Sequence, residues 1–286
     1  MKFYCLHEGF YEGVQLRLDQ LKIACEKLNI EFIALNSLDY DFSCLPKLTK
    51  NDILYNAARG SETLETLLLN KEVTTFYINN PDFVVSNSDT TKYSILHDKE
   101  NLLSPKTIYK ITADRQLLKR YVDYLGGFPI VLKATGSTRG IGTIKIDSWQ
   151  SLVSTIDYLT TTVDSFIMRE FIKAKTGCRI IVLGNEIIAG ADFTMNENDF
   201  RNAVDLGQIK YTKRYYSELV NNTAIKATRL ANVELSGVDF LEDETGKFFL
   251  LEVNYPTGFS GLIDVCGVNI PLKMVEYLKK KANGES

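Results

Sequence analysis

Gly237-Val-Asp-Phe-Leu241 and Phe249-Leu-Leu-Glu-Val-Asn254 are the stretches whose reading decides the fold. They read as two strands joined by the tight turn Glu242-Asp-Glu-Thr-Gly-Lys247. Folding them about Thr245–Gly246 sets Asp239 opposite Glu252. A two-residue turn with Gly second is a hairpin signal, though weaker than Asn-Gly. Directly opposed residues share a face, and like charges there are destabilising. Asn254, two residues beyond Glu252, lies on that face as well. Two carboxylates and an amide oxygen among Val, Phe and Leu therefore need positive charge between them. Oxygen-only ligands match a hard cation such as Mg²⁺. An amphipathic surface hairpin with solvated acids is the alternative.

The rest of the composition narrows the chemistry. The chain has 286 residues, enough for a large core and two or three subdomains. A net charge of −3 argues against a dedicated nucleic-acid surface. No apolar run reaches the roughly 18 residues that span a bilayer. Five scattered cysteines form no CxxC pair and read as small buried hydrophobes. Their odd number, with no signal peptide, fits the cytoplasm. His7 and His97 are the only histidines, too few to supply zinc chemistry or a Ser/His triad well.

Residues 1–88 alternate strand and helix. Lys2–Leu6, Glu31–Leu35, Asp52–Tyr55 and Thr75–Ile78 read as strands, and Val14–Leu28 and Ser61–Leu69 as helices. The first helix carries apolar Leu16, Leu18, Leu21, Ile23 and Ala24. Such βαβ units imply a mostly parallel sheet, and without GxGxxG a dinucleotide site here is unexpected. Beyond a polar stretch, Thr90–Asp98 and Ala113–Leu125 read as helices, the second capped by Thr112. Ser148–Leu159, Asn222–Leu235 and Ile270–Ala282 are further helices, Phe166–Lys173 is a strand, and Cys178–Ala189 is a hairpin about Gly184-Asn185.

Between these lies Phe128-Pro-Ile-Val-Leu-Lys133-Ala-Thr-Gly136-Ser-Thr-Arg139-Gly140-Ile-Gly142, a strand running into a glycine-rich loop. Exposed N–H groups on such loops cradle phosphates, although a plain hairpin turn has the same composition. The segment is not a Walker A loop, since no Gly-Lys-Ser/Thr opens a helix. Lys133 sits in an apolar strand, where an unpaired ammonium is costly. A phosphate oxygen or a structural salt bridge is its partner.

Four blocks in order resemble the ATP-grasp fold, and within it the RimK-type carboxylate–amine ligases, the group of the ribosomal-protein glutamate ligase and the lysine-biosynthesis carrier-protein ligase. They are Pro129–Gly142, Met168-Arg-Glu-Phe-Ile172, Gly237–Leu241 and Leu251-Glu-Val-Asn254. Cys266–Leu278 is similar to that family's closing helix, so the match covers about residues 80–284. The resemblance implies a mixed α/β and α+β fold in three parts. These are an N-terminal Rossmann-like α/β domain (1–88), a small central subdomain with the glycine-rich loop (89–165) and a C-terminal antiparallel-sheet subdomain with the metal site (166–286).

It also assigns roles. Lys92 and Lys133 contact ATP phosphates. Gly136, Ser137, Thr138, Arg139, Gly140, Ile141 and Gly142 close over them. Glu170, Phe171 and Ile172 read adenine through backbone groups. Asp239, Glu252 and Asn254 hold two Mg²⁺ ions, for which Mn²⁺ can substitute. Arg179 stands near the γ-phosphate, and Arg201 steadies an acyl phosphate. The implied reaction joins a carboxylate to an amine, with release of ADP and phosphate. The partners are a small-molecule, amino-acid or peptide carboxylate and an amine, with no nucleic acid and no membrane; relatives are often dimers or tetramers. Two other readings stay open at this point: a peptide-modifying ligase forming side-chain esters or amides, and a non-catalytic ATP-binding regulator.

The chain departs from the family where relatives face substrate. Asp192-Phe193 stands where many relatives carry a basic pair, Asn202 follows Arg201 directly, and Pro256-Thr-Gly258 replaces Pro-Gly. Acceptor specificity is therefore expected to differ. His7, Glu8 and Arg59 are N-terminal candidates at the crevice formed by strand carboxyl ends.

Overall fold

A computed structural model describes residues 1–9, 12–58, 60–84, 91–136, 140–161, 165–194, 200–201 and 210–285. The expectations for Arg59, Ser137, Thr138, Arg139 and Asn202 lie outside the described residues.

The N-terminal segment places β1 (Lys2–His7), α1 (Glu12–Lys27), β2 (Glu31–Asn36), β3 (Asp52–Asn56) and α2 (Glu62–Leu68). Its strands pair in parallel in the order β2-β1-β3. Parallel neighbours require crossovers, and α1 provides the first. The face α1 buries carries Val14, Leu18, Leu21, Ala24 and Cys25, at helical spacing. Leu16 and Ile23, expected on the apolar stripe, are instead 46% and 52% exposed. Thr75–Ile78, expected as a strand, makes only isolated bridges. Thr74 pairs with Ile53 and Tyr77 with Val233. The Thr75 hydroxyl captures the Tyr77 N–H and donates to Asn80, replacing ladder bonds by local ones.

The middle of the chain forms α3 (Thr91–Lys99), β4 (Thr107–Ile108), α4 (Arg115–Leu125), β5 (Ile130–Ala134), β6 (Thr143–Ile146) and α5 (Trp149–Leu159). Asp114, not Thr112, caps α4, because its carboxylate accepts from the N–H groups of Gln116 and Leu117. Next come β7 (Phe166–Glu170), β8 (Ala174–Leu183), β9 (Glu186–Phe193), β10 (Tyr211–Lys213), α6 (Glu218–Leu230), β11 (Leu235–Asp243), β12 (Phe248–Asn254), α7 (Ser260–Cys266) and α8 (Ile270–Ala282). Helix α6 starts four residues before the expected Asn222, since Ser217 caps it, and it ends early enough for Leu235 to open β11. One antiparallel sheet runs β4-β7-β5-β6, and a second runs β10-β9-β8-β11-β12.

The N-terminal sheet and the five-stranded sheet share one core that includes Phe3, Tyr55, Phe76, Phe240 and Phe259. Lys281 on α8 ties them together by donating to the carbonyls of Thr75 and Tyr77 and to the Glu234 carboxylate. Four cysteines are buried as expected, while Cys44 is exposed.

Glu65 on α2 is buried in this junction. It accepts from Asn56 Nδ2 (2.8 Å) and Tyr77 Oη (3.0 Å). Burial pushes its carboxyl up to about 7, against the pull of those two donors. A carboxyl raised in the folded state stabilises below its ordinary value of 4.5 and loses that contribution as pH climbs through 7. The Glu65→Gln protein keeps the neutral shape. It is expected to match the parent at pH 4.5 and exceed it by about 3 kcal/mol at pH 8.5, as read by urea unfolding. Parallel pH profiles for the two proteins would refute this.

Candidate active site

Asp239 and Glu252 are directly opposed on β11 and β12, and Asn254 pairs with Gly237. The turn differs from the two-residue one expected. Asp243 N–H bonds to Lys247 O and Gly246 N–H to Asp243 O, leaving Glu244–Gly246 as a three-residue loop with Gly246 at φ 82°. Asp243 Oδ1 fixes that loop by accepting from the N–H groups of Thr245 and Lys247. The loop alone would bring Leu251 opposite Asp239. A bulge between Asp239 and Phe240 takes up the extra residue and restores the opposition of the acids.

Positive charge does sit at these acids, and it comes from two other strands. Arg179 pairs with Asp239 across the β8–β11 ladder. Its Nε donates to Oδ1 at 2.7 Å and its Nη2 to Oδ2 at 2.6 Å. Lys133, from the four-stranded sheet, donates to Glu252 Oε2 at 3.1 Å. Asn254 Nδ2 reaches Asp239 Oδ2 (3.0 Å) and Glu252 Oε1 (3.2 Å). The Lys133 ammonium holds the Glu252 carboxyl down at about 2 despite burial. Burial pushes the Asp239 carboxyl above its ordinary value, and Arg179 opposes it. Lys133 thus makes a salt bridge, one of the two kinds of partner expected for it.

The donor set fits a hard cation. Two opposed carboxylates and an amide offer oxygen only, and Asp239 Oδ1 and both Glu252 oxygens each keep a lone pair beyond the bonds described, while Asp239 Oδ2 regains one when Asn254 turns away. The Asn254 amide as placed turns its nitrogen to the acids. Its rotation by half a turn would present Oδ1, an orientation that hydrogen-bonding alone decides.

The glycine-rich segment follows Lys133, joining β5 to β6. Gly136, Gly140 and Gly142 have φ of 77°, 70° and 76°, a region that favours glycine. Ala134 N–H bonds to Gly142 O, closing the base of the loop. Arg201 packs on it: a methyl group at Gly140 would stand 3.2 Å from Arg201 Cβ. Lys92 is exposed on α3, and no contact among the described residues ties it to the acids.

At the far edge, β7 ends at Glu170, three residues short of the expected Lys173. The Glu170 N–H and carboxylate are both bonded to the Lys106 backbone, at 2.9 and 3.1 Å. Phe171 meets Phe200 edge-on with centroids 6.2 Å apart, and Lys145 Nζ lies 5.2 Å over the Phe171 ring. Phe200 and Lys145 carry no motif and were not anticipated.

Further contacts bear on the site. Arg169 is buried, and donates to the hydroxyls of Thr107 and Ser94, each at 3.1 Å. Burial pulls its guanidinium down, while the nearby Glu252 charge pushes it back up. Asp192 is not turned toward Arg179. It pairs with Cys178, so it lies on the other face of the sheet, where Arg214 (3.0 Å) and the Tyr216 hydroxyl (2.9 Å) engage it. Phe193 does share the Arg179 face and lies flat on Gly177, where a methyl group would overlap its ring at 2.1 Å. In the N-terminal sheet, His7 is buried with Nδ1 2.9 Å from Gly9 O. Glu8 packs so closely on Gly60 that a side chain there would collide with its carboxylate.

Residues 88–278 match the model of the RimK-like ATP-grasp domain. The chain belongs to the RimK-like ATP-grasp family. It is 31% identical over 166 residues to the ribosomal protein bS6–L-glutamate ligase of Escherichia coli O7:K1 (strain IAI39 / ExPEC), covering 57% of this chain and 55% of that protein. A probable alpha-L-glutamate ligase of Klebsiella pneumoniae (strain 342) is 31% identical over 163 residues, 56% and 54% of the two chains. The chain thus spans about half the length of the curated relatives it matches. Its backbone is similar to the ATP-grasp ligase PsnB bound to a minimal precursor (TM-score 0.73, 14% identity, 99% of both chains). It is equally similar to a D-alanine–D-alanine ligase from Bacillus anthracis (TM-score 0.72, 17% identity, 100% of both). These likenesses establish the ATP-grasp fold. No described helix is long and apolar enough to cross a membrane.

Proposed function

We propose that this chain is an ATP- and Mg²⁺-dependent ligase that joins a carboxylate to an amine through an acyl phosphate, releasing ADP and phosphate. The observation that carries this reading is the opposed Asp239–Glu252 pair, with Lys133 and Arg179 converging on it from two different sheets. Asp239, Glu252 and Asn254 are the residues to hold Mg²⁺, two ions in the fullest form, with Mn²⁺ as a substitute. When bound, the metal neutralises phosphate charge.

The chain's own residues supply the rest. Lys133 and Arg179 are cations whose carboxylate partners can be exchanged for phosphate oxygens, so charge is neutralised without importing it. Lys92 is a further phosphate contact, and the glycine-rich loop, with Arg201 packed on Gly140, is the lid that excludes water. The Glu170–Ile172 segment, with Phe200 and Lys145 packed on Phe171, takes the base. The scarcity of histidine suits catalysis by positioning and charge rather than by a dedicated acid–base residue. The names of relatives, an L-glutamate ligase of a ribosomal protein and a precursor-bound ligase, support an amino acid, peptide or protein as reactant.

The test is ATP turnover with Mg²⁺ against pools of amino acids, dipeptides and simple carboxylates, resolving ADP from AMP. Substrate-dependent ADP and phosphate are expected, lost in the Asp239→Ala/Glu252→Ala protein. Release of AMP and pyrophosphate would overturn the acyl-phosphate route.

A further inference from the structure

Arg17, on the middle of α1, reaches the same point as Arg179. Its Nη1 donates to the Ala57 carbonyl, just past the carboxyl end of β3. Its guanidinium carbon stands 5.8 Å from the centre of the Phe259 ring. A methyl group at Gly258 would lie 4.0 Å from Arg17 Nη2 and 3.9 Å from Arg179 Nη1. Two guanidinium groups from distant parts of the chain thus flank one glycine that has no side chain to fill the space between them.

The donors at this notch are short of acceptors. Arg179 commits Nε and Nη2 to Asp239, and among the described residues Nη1, the edge toward Gly258, has no hydrogen bond. Among the described residues no carboxylate lies within 4.0 Å of Arg17. Among the described residues Arg17 Nε is buried without a hydrogen-bond partner. A buried donor left unmade is costly, and two positive charges beside one another repel. A structure retains such an arrangement when an anion completes it. Planar N–H edges of this kind match a carboxylate.

We infer that the Arg17–Gly258–Arg179 notch binds a carboxylate of the substrate other than the one that is activated, which makes Arg17 a specificity-determining residue. Its place in the reaction rests on the ligase reading, but its anion binding does not. The notch is built by Arg17 of α1, Gly258 and Arg179, whereas Lys133 comes to Glu252 from the four-stranded sheet. A carboxylate held here therefore sits beside the reacting centre without competing for Lys133. The substrate class follows: an amino acid or dicarboxylate carrying a second anionic group.

Titration calorimetry of the full chain with L-glutamate, glutarate, neutral glutaramide, inorganic phosphate and, separately, Mg·ADP tests this. The carboxylates are expected to bind and glutaramide not to. Arg17→Met should weaken carboxylate binding roughly ten- to a hundredfold, the worth of a charged hydrogen-bonded partner, with Mg·ADP affinity unchanged. Gly258→Ala keeps both arginines and has only ordinary contacts to its new methyl, so it separates notch filling from misfolding. It should lose the carboxylates as well. Carboxylate binding absent from the parent, unchanged in both variants, or replaced by preferential binding of phosphate would overturn the proposal. Arg17-dependent carboxylate binding in a protein that fails to bind Mg·ADP would uphold the notch and overturn the ligase reading instead.

Discussion

The Glu252→Gln protein is expected to turn over ATP about 10³-fold more slowly than the parent, while remaining folded. Glutamine keeps the volume and one oxygen but replaces the other with N–H, and it removes the negative charge opposite Asp239. Groups that stabilise developing charge in a water-poor site are worth about 10²–10³ in rate each. Stability changes far less. Lys133 loses its carboxylate, yet its side chain is 19% exposed and can reach water. The pH behaviour adds a second check. Lys133 holds Glu252 down at about 2, so this carboxylate's stabilising contribution is complete above 4.5 and lost only as pH falls toward 2. Protonation of Glu252 therefore cannot explain any fall in activity between pH 5 and 8. Turnover of Glu252→Gln above a tenth of the parent value, measured as ADP release with circular dichroism confirming the fold, would exclude Glu252 from the phosphate chemistry.

The site was legible where its residues lie close in sequence. Asp239, Glu252 and Asn254 fall on one hairpin, and strand periodicity puts them on one face whatever the details of the turn. Even so, the expected register arose from two compensating differences, a three-residue loop and a bulge at Leu251, neither of which strand patterning reveals. Lys133 was legible as a cation in an apolar strand that needed a partner, though Glu252, 119 residues away, could not be named from spacing. Arg17 was illegible because its contacts, Ala57 and Phe259, are brought to it only by tertiary folding. The face of Asp192 was illegible for a related reason. Its orientation is set by the β8–β9 register, and Arg214 arrives from beyond β10. The overall order of sheets follows from alternating βαβ patterning and from the blocks shared with the family.

Replacing Arg179 by methionine is expected to lower stability by about 3–5 kcal/mol, the usual effect of removing one partner of a buried ion pair. Asp239 is 6% exposed, and without Arg179 its remaining neutral donor is the Asn254 amide. The melting temperature should fall by roughly 10 °C. The double variant Arg179→Met/Asp239→Leu should recover most of that loss, because no unpaired charge is then left buried, and so be more stable than the single one. Mg²⁺ distinguishes a ligand from a merely structural acid. A cation that binds only the folded state stabilises it by mass action. If Asp239 is a metal ligand, saturating Mg²⁺ raises the melting temperature of Arg179→Met more than that of the parent, since it replaces the missing positive charge, and has no such effect on the double variant. Equal melting temperatures for parent and Arg179→Met would show that the ion pair does not hold this sheet. A loss that Mg²⁺ leaves untouched would make Asp239 a structural partner of Arg179, with Glu252 and Asn254 left to hold the metal.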